Sequence, residues 1–564
     1  MKKIICLALA ALLGIGTVCL SACGGSGGEG EKDLSSIGYQ YADVTKPIVN
    51  EPDAIGFQIM APKNPLALEY KDMQMFKDLY AQTNVKIEWD NITYSSYAAQ
   101  KNNMWSDPDS LPDAIYGAGY GNKELIKNSR NGNIIPLNDF IDSGKMPYFK
   151  AILDKDPELR KVLTQEDGKI YSLPRVEKMG LKKYSQLLFI NKNWVQDAID
   201  AGVFRLEEGE TLVKPGQEDW TENSPDAGFE LDIAEFESLL GYFKGYKNDA
   251  IPLTFVLQNW QGNQSDLYGM FGCVENIDHK LIHNGKVEIT AVTDGWKEGT
   301  KKIGEWISKG YINKEVLENK SWNEAKFLTI GRSNSERYGA FYWWDSEEVV
   351  ANPENYVCLN PIINGANQYV GVSNQPEIEK GYFVITKKCQ NPEVLATWID
   401  RSYEGKMSAM INYGPVGIEF EEETDELGRL VFKPVPEGET ESDRRLKNAP
   451  VGLCYLGEEQ WQNDVKMEDR AVLRLERIEN HAAPYVKEGY EPYPEVTFTR
   501  KEQNLINEIE KNIYDEIERR LFYWLEHPAA IDSEWESFKN VLYGSYRLDE
   551  YIQVHQDAYD RSRA

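Results

Sequence analysis

Leu111-Pro112-Asp113-Ala114-Ile115-Tyr116-Gly117 reads as a short buried strand running into a glycine-rich loop that ends at Gly121. Upstream, Ala54-Ile55-Gly56-Phe57-Gln58-Ile59-Met60 is another short apolar run, and Met73, Phe76 and Tyr80 then recur at helical spacing. Val85, Ile87 and Trp89 alternate with polar or charged residues as a strand does, and a polar helical stretch from Tyr97 to Trp105 leads back to the first run. Strand, helix, strand, helix, strand predicts an α/β fold with a mostly parallel sheet covered by helices. Ligands bind beyond the carboxyl ends of such strands, so Tyr116 and the loop after it are a candidate ligand edge.

The rest of the chain is punctuated as helices. Asn391-Pro392-Glu393 places a cap residue before proline at the first helical position, and Leu395, Trp398, Ile399 and Tyr403 form one apolar stripe. Thr499 with Glu502 is a capping box; Leu505, Ile509, Ile513, Ile517 and Leu521 follow at steps of four, up to a stop near Pro528. A last helical pair carries Trp535, Phe538, Val541 and Leu542 and resumes after Gly544, which predicts a helical C-terminal region. At roughly 150 residues per domain, 564 residues suit three to four units or two large lobes. Acidic residues number 91 against 62 basic ones, a net charge of -29 that repels phosphate backbones and argues against nucleic acid as a partner.

Residues 1–22 read as a secretory signal: Lys2-Lys3, an apolar stretch from Ile4 to Leu20, then Leu20-Ser21-Ala22-Cys23. The last four resemble a bacterial lipobox, which implies that Cys23 carries the lipid and becomes the mature N-terminus. Gly24-Gly25-Ser26-Gly27-Gly28 opens a flexible tether, taken here as 23–49. The expected location is the outer face of the cell membrane. Cys273, Cys358, Cys389 and Cys454 are scattered without metal-ligand spacing, which leaves three disulfide connectivities and free buried thiols open.

Catalytic and metal signatures are weak. Outside the glycine run 24–30, no Gly-x-Ser-x-Gly, phosphate loop or dinucleotide fingerprint occurs, and no sequence context marks a carboxylate pair for glycoside hydrolysis. His279 and His283 stand four apart, but the turn at Asn284-Gly285 opposes the helix that would align them on zinc. The acidic run 419–426 reads as a solvated hairpin turn between Ile418-Glu419-Phe420 and Leu430-Val431-Phe432, with a calcium loop as the alternative. Neither a metal nor a cofactor is expected.

Taken in order, the motifs resemble the family 1 extracellular solute-binding proteins of bacterial ABC importers, in the long lipoprotein branch associated with oligosaccharides. They are Leu111 to Tyr116, Ile135-Pro136-Leu137-Asn138-Asp139-Phe140-Ile141, Asp167-Gly168-Lys169-Ile170-Tyr171-Ser172-Leu173-Pro174, and Leu188-Phe189-Ile190-Asn191-Lys192-Asn193-Trp194. Gly339-Ala340-Phe341-Tyr342-Trp343-Trp344, Gly381-Tyr382-Phe383-Val384-Ile385-Thr386 and Gly414-Pro415-Val416-Gly417 extend them across nearly the whole chain. The resemblance implies two α/β lobes joined by crossing strands that close on a ligand: 50–183 with 357–388, and 184–356 with 389–564. It also implies ABC permease subunits as partners and a monomer that is not an enzyme. Relatives' Asp/Asn/Gly-rich calcium loop is here reduced to Lys247-Asn248-Asp249-Ala250-Ile251-Pro252. The alternative is a surface lipoprotein that binds or degrades carbohydrate without transport.

Sugars present apolar C–H faces bordered by hydroxyls, so their sites need aromatic platforms rimmed by polar groups. The resemblance places Tyr116, Trp260 and the pair Trp343-Trp344 at lobe edges. Gln258, Asp345 and Arg175 are candidate hydroxyl partners, and Tyr413 and Tyr455 further aromatic ones. On a strand, adjacent Trp343 and Trp344 point to opposite faces, so at most one is a platform. Core packing is the alternative for every one of these rings.

Overall fold

A computed structural model describes residues 34–107, 111–221, 223–318, 321–374, 377–436 and 441–563. The leader, Cys23 and the glycine run lie outside them. The strands are β1 (Gly56–Lys63), β2 (Lys86–Thr93), β3 (Ala114–Tyr116), β4 (Leu173–Glu177), β5 (Leu187–Asn191), β6 (Ile251–Thr254) and β7 (Lys280–His283), followed by β8 (Lys286–Ile289), β9 (Tyr338–Trp343), β10 (Tyr356–Leu359), β11 (Ile378–Ile385), β12 (Tyr455–Leu456) and β13 (Tyr490–Pro492).

The opening rhythm folds as read. β1 pairs in parallel with β2 and β3, and helices Gln74–Thr83 and Tyr94–Asn103 follow β1 and β2. The full order is β12-β4-β11-β3-β1-β2, with β11 antiparallel to both β3 and β4. This sheet is the frame of the first lobe. A second sheet, β10-β5-β9-β6, frames the other lobe, and β13-β7-β8 forms a small third one. Each large sheet has its own apolar core. Phe57, Ile59, Leu79 and Phe383 lie in the first, and Phe189, Leu253, Phe341 and Trp306 in the second.

Pairing and packing redraw the lobe boundaries. The expected range 357–388 puts β10 in the first lobe, but it pairs with β5 across four residues and belongs to the second. The stretch from Cys389 is expected in the second lobe. Instead Leu395, Trp398, Ile399, Met407, Ile411 and Leu453 lie in the core of the first, and β12 pairs with β4. An apolar stripe demands burial without naming the surface that provides it. The chain returns to the second lobe with helix Asp469–His481, whose His481 Nδ1 lies 2.8 Å from Asn360 Oδ1. The expected tether also ends early. Ile48 and Val49 are fully buried, and the Tyr39 hydroxyl lies 2.9 Å from Thr397 Oγ1.

Helix Arg500–Glu526 carries the Thr499/Glu502 capping box, and His527 closes it before Pro528. Cys273, Cys358, Cys389 and Cys454 are all buried, and none is bonded to another of the four. Asn284 and Gly285, with φ of 50° and 75°, form the tight turn that links β7 to β8. His283 Nδ1 lies 2.8 Å from Glu288, and His279 Nδ1 3.1 Å from Glu275, so separate carboxylates hold the two rings. The acidic hairpin is closed from within. Asp425 accepts the Arg429 amide and guanidinium, and buried Glu419 forms a two-bond ion pair with Arg444.

Candidate functional site

A cavity of about 690 Å³ lies between the lobes. The first lobe supplies Arg175 and Glu177 from the end of β4, and Tyr413 from the last turn of helix Gly405–Tyr413. Arg175 donates to Glu379 Oε1 at 2.7 Å, to Glu177 Oε2 at 2.8 Å and to Asn412 Oδ1 at 2.8 Å. Glu177 Oε1 accepts Tyr413 Oη at 2.6 Å and Asn412 Nδ2 at 2.9 Å. Burial alone would raise the Glu177 carboxyl; the Arg445 and Arg175 guanidiniums and the Tyr413 hydroxyl outweigh it and hold that carboxyl well below the usual range. Arg445 lies over the Tyr413 ring, 4.3 Å from its centroid.

The second lobe supplies an aromatic corner. Trp260, 41% exposed, meets Trp344 at 83° with ring centroids 5.3 Å apart. Arg474 covers one face of Trp344 at 4.5 Å and is held by Asp345, which also takes the Arg470 Nε at 2.9 Å. Arg470, Arg474 and Arg477 sit on one face of a single helix, at spacings of four and three. That spacing was present in the sequence and was the signal for the missed half of this wall. Arg445 and Glu348 carried no comparable signal.

Of the nine candidate residues, Arg175, Trp260, Trp344 and Tyr413 line the cavity. Tyr116 does not: it is fully buried between paired strands, edge-on to Trp89 and Tyr382, and its hydroxyl accepts the Leu453 amide at 2.7 Å. Trp343 is also core, beneath Gly262, where an added Cβ would fall 2.4 Å from its ring. Asp345 is 1% exposed and spent on its arginines. Gln258, at φ 56°, donates its backbone amide to Gln264 Oε1 at 2.9 Å and is not part of the lining, and half-buried Tyr455 lies on β12, also outside it.

Among the described residues, the lining carries six basic and five acidic side chains, in a chain of net charge -29. Behind the crossing segments lies a second cavity of about 520 Å³, walled by Lys183, Ser373, Asn374, Tyr493 and Val496. Lys182 and Glu377 line both cavities. No group of three or more potential metal-ligating side chains occurs among the described residues.

No protein-family model matches the chain. It is 30% identical to the fructooligosaccharide ABC transporter substrate-binding protein FusA of Streptococcus pneumoniae serotype 4, over 98% of both chains. The structure of FusA in complex with kestose superposes with a TM-score of 0.77 at 28% identity, covering 90% of this chain and 99% of that one. A solute-binding protein of Bifidobacterium longum infantis shares the fold, with a TM-score of 0.72 at 18% identity, over 91% of this chain and 99% of its own. Together with the two lobes and the cavity between them, this similarity establishes that the chain belongs to the family 1 extracellular solute-binding proteins of ABC importers.

Proposed function

We propose that this protein is the lipid-anchored receptor of an ABC importer, and that it captures a neutral oligosaccharide of the fructooligosaccharide class by closing its lobes. The Trp260–Trp344 corner facing Arg445 and Tyr413 across the cleft carries the reading, because it pairs apolar ring surface with hydroxyl partners. The near balance of cleft charges favours a neutral ligand over a polyanion. In this reading the receptor acts as a monomer and delivers its ligand to permease subunits, as family membership implies. Family membership sets aside the carbohydrate-degrading alternative. Titrating the purified protein with neutral and anionic oligosaccharides, while recording melting temperature and products, tests the reading. A neutral fructooligosaccharide should raise the melting temperature without being consumed, since a ligand that binds the native state stabilises it. Stabilisation by anionic glycans alone, or hydrolysis, would overturn it.

The anchor rests on Leu20-Ser21-Ala22-Cys23 and the glycine run after it. Two acyl chains on one cysteine suffice for stable membrane attachment on the extracellular side. Cys23→Ala should release the protein from the membrane or leave it unprocessed. Fractionation that finds the variant processed and retained like the wild type would refute the anchor.

A further inference from the structure

The two indoles of the corner are each held by a carboxylate. Trp343 and Trp344 leave the end of β9 for opposite environments, core and cleft, yet both ring N–H groups donate to one atom, Glu348 Oε2; the Trp343 bond is 2.9 Å. The Glu348 backbone is fixed as well: its amide donates to Asp345 Oδ1 at 3.0 Å, and its carbonyl accepts Arg332 Nε at 2.7 Å. Glu324 Oε2 accepts the Trp260 N–H at 3.1 Å and Asn259 Nδ2 at the same distance.

We propose that Glu348 and Glu324 are positioning residues for sugar recognition: each fixes the pose of one cleft indole by consuming its N–H. This rests on the oligosaccharide reading above. The indoles then offer the ligand carbon surface instead of a hydrogen bond. With Arg474 over one face of Trp344, the opposite face and the perpendicular Trp260 ring form a one-sided corner. Such a corner suits a sugar unit that stacks its ring on Trp344 and lays an out-of-plane hydroxymethyl arm against Trp260. Hydroxyl recognition falls to the opposite wall, where Arg445 and Tyr413 stand. Specificity is thus divided between lobes, and only closure brings both halves to the ligand.

The test compares Glu348→Leu, which removes the acceptor, with Glu348→Gln, whose amide oxygen keeps it. Kestose affinity is measured by calorimetry, and the Trp260–Trp344 pair in unliganded protein by near-ultraviolet circular dichroism. Glu348→Leu should weaken binding about tenfold, the effect of one hot-spot side chain, and change the dichroism, while Glu348→Gln keeps both close to wild type. Wild-type affinity and dichroism in Glu348→Leu would overturn the proposal. Weakened binding with unchanged dichroism would also overturn it, by making Glu348 a direct ligand contact. If Glu348→Leu does not fold, Glu324→Leu and Glu324→Gln repeat the comparison at a partly exposed helix start. A wild-type protein that binds no neutral oligosaccharide defeats the functional reading alone, because the dichroism of unliganded variants still tests the positioning.

Discussion

A chain that ends at Pro528 should lose the cooperative unfolding of the second lobe. The removed segment contributes Ile531, Trp535, Phe538, Leu542, Leu548 and Tyr551, all buried, to the core that holds β5, β6 and β9. Trp535 and Phe538 pack against Trp296, and Phe538 also meets Trp524 edge-on at 5.1 Å. Gln556 accepts the Val287 amide at 2.8 Å, fastening the last helix to β8. At about 1.5–3 kcal/mol for each large apolar side chain, this burial is on the order of 10 kcal/mol. That matches the whole net stability of an ordinary domain, about 5–15 kcal/mol. Calorimetry on the truncated protein should find the second-lobe transition missing, and any remaining transition would belong to the separate core of the first. A full transition at the wild-type temperature would refute this account of the C-terminal helices.

Asp345→Ala should be the most damaging single substitution at the cleft. Its carboxylate is buried and meets Arg470 and Arg474, and removing one partner of a buried pair costs about 3–5 kcal/mol because Arg474 loses its carboxylate, while Arg470 keeps Glu347 at 3.5 Å. For a lobe of this size the melting temperature should fall by on the order of 10 °C. Arg474 would also lose its hold over Trp344, so sugar affinity should fall with stability. The pH dependence has a definite sign. Burial raises the Asp345 carboxyl, but Arg474 and Arg470 overcome it and leave the carboxyl below its ordinary value of 3.8. A depressed folded value gives stability that is present above about pH 4 and lost as the pH falls further. Wild type and variant should therefore differ fully at pH 7 and converge in strong acid. A gap that widened on acidification would contradict the assignment.

Local pattern was legible in the sequence where one segment determines its own structure. The strand–helix alternation from Gly56 to Tyr116, the capping box at Thr499 and the turn at Asn284-Gly285 each depend on a few neighbouring residues. Trp343, the last residue of β9, is buried while Trp344 just beyond it reaches the cleft, the opposed placement that strand parity predicts for neighbours. Questions about partners distant in sequence were not legible. Tyr116 stands at the end of a strand as a ligand residue would, but β3 is paired on both sides and its ring fills the layer beneath. Arg445 reaches Tyr413 from 32 positions away, and Asp345 reaches arginines 125 and 129 residues downstream. Charge and amphipathicity show that such residues need partners, and only the fold supplies them.

The rear cavity bears on how firmly the front one holds a sugar. If the lobes swing about the crossing segments, widening the mouth must squeeze the space between Ser373, Asn374, Tyr493 and Lys183. That space acts like the gap behind a door hinge, where a wedge resists opening. Bulk added at Ser373 or Asn374 would then make the open state costlier and tighten the apparent Kd for the ligand without altering any surface that touches it. Receptors of this build can tune nutrient affinity from the back, leaving the chemistry of recognition at the front intact.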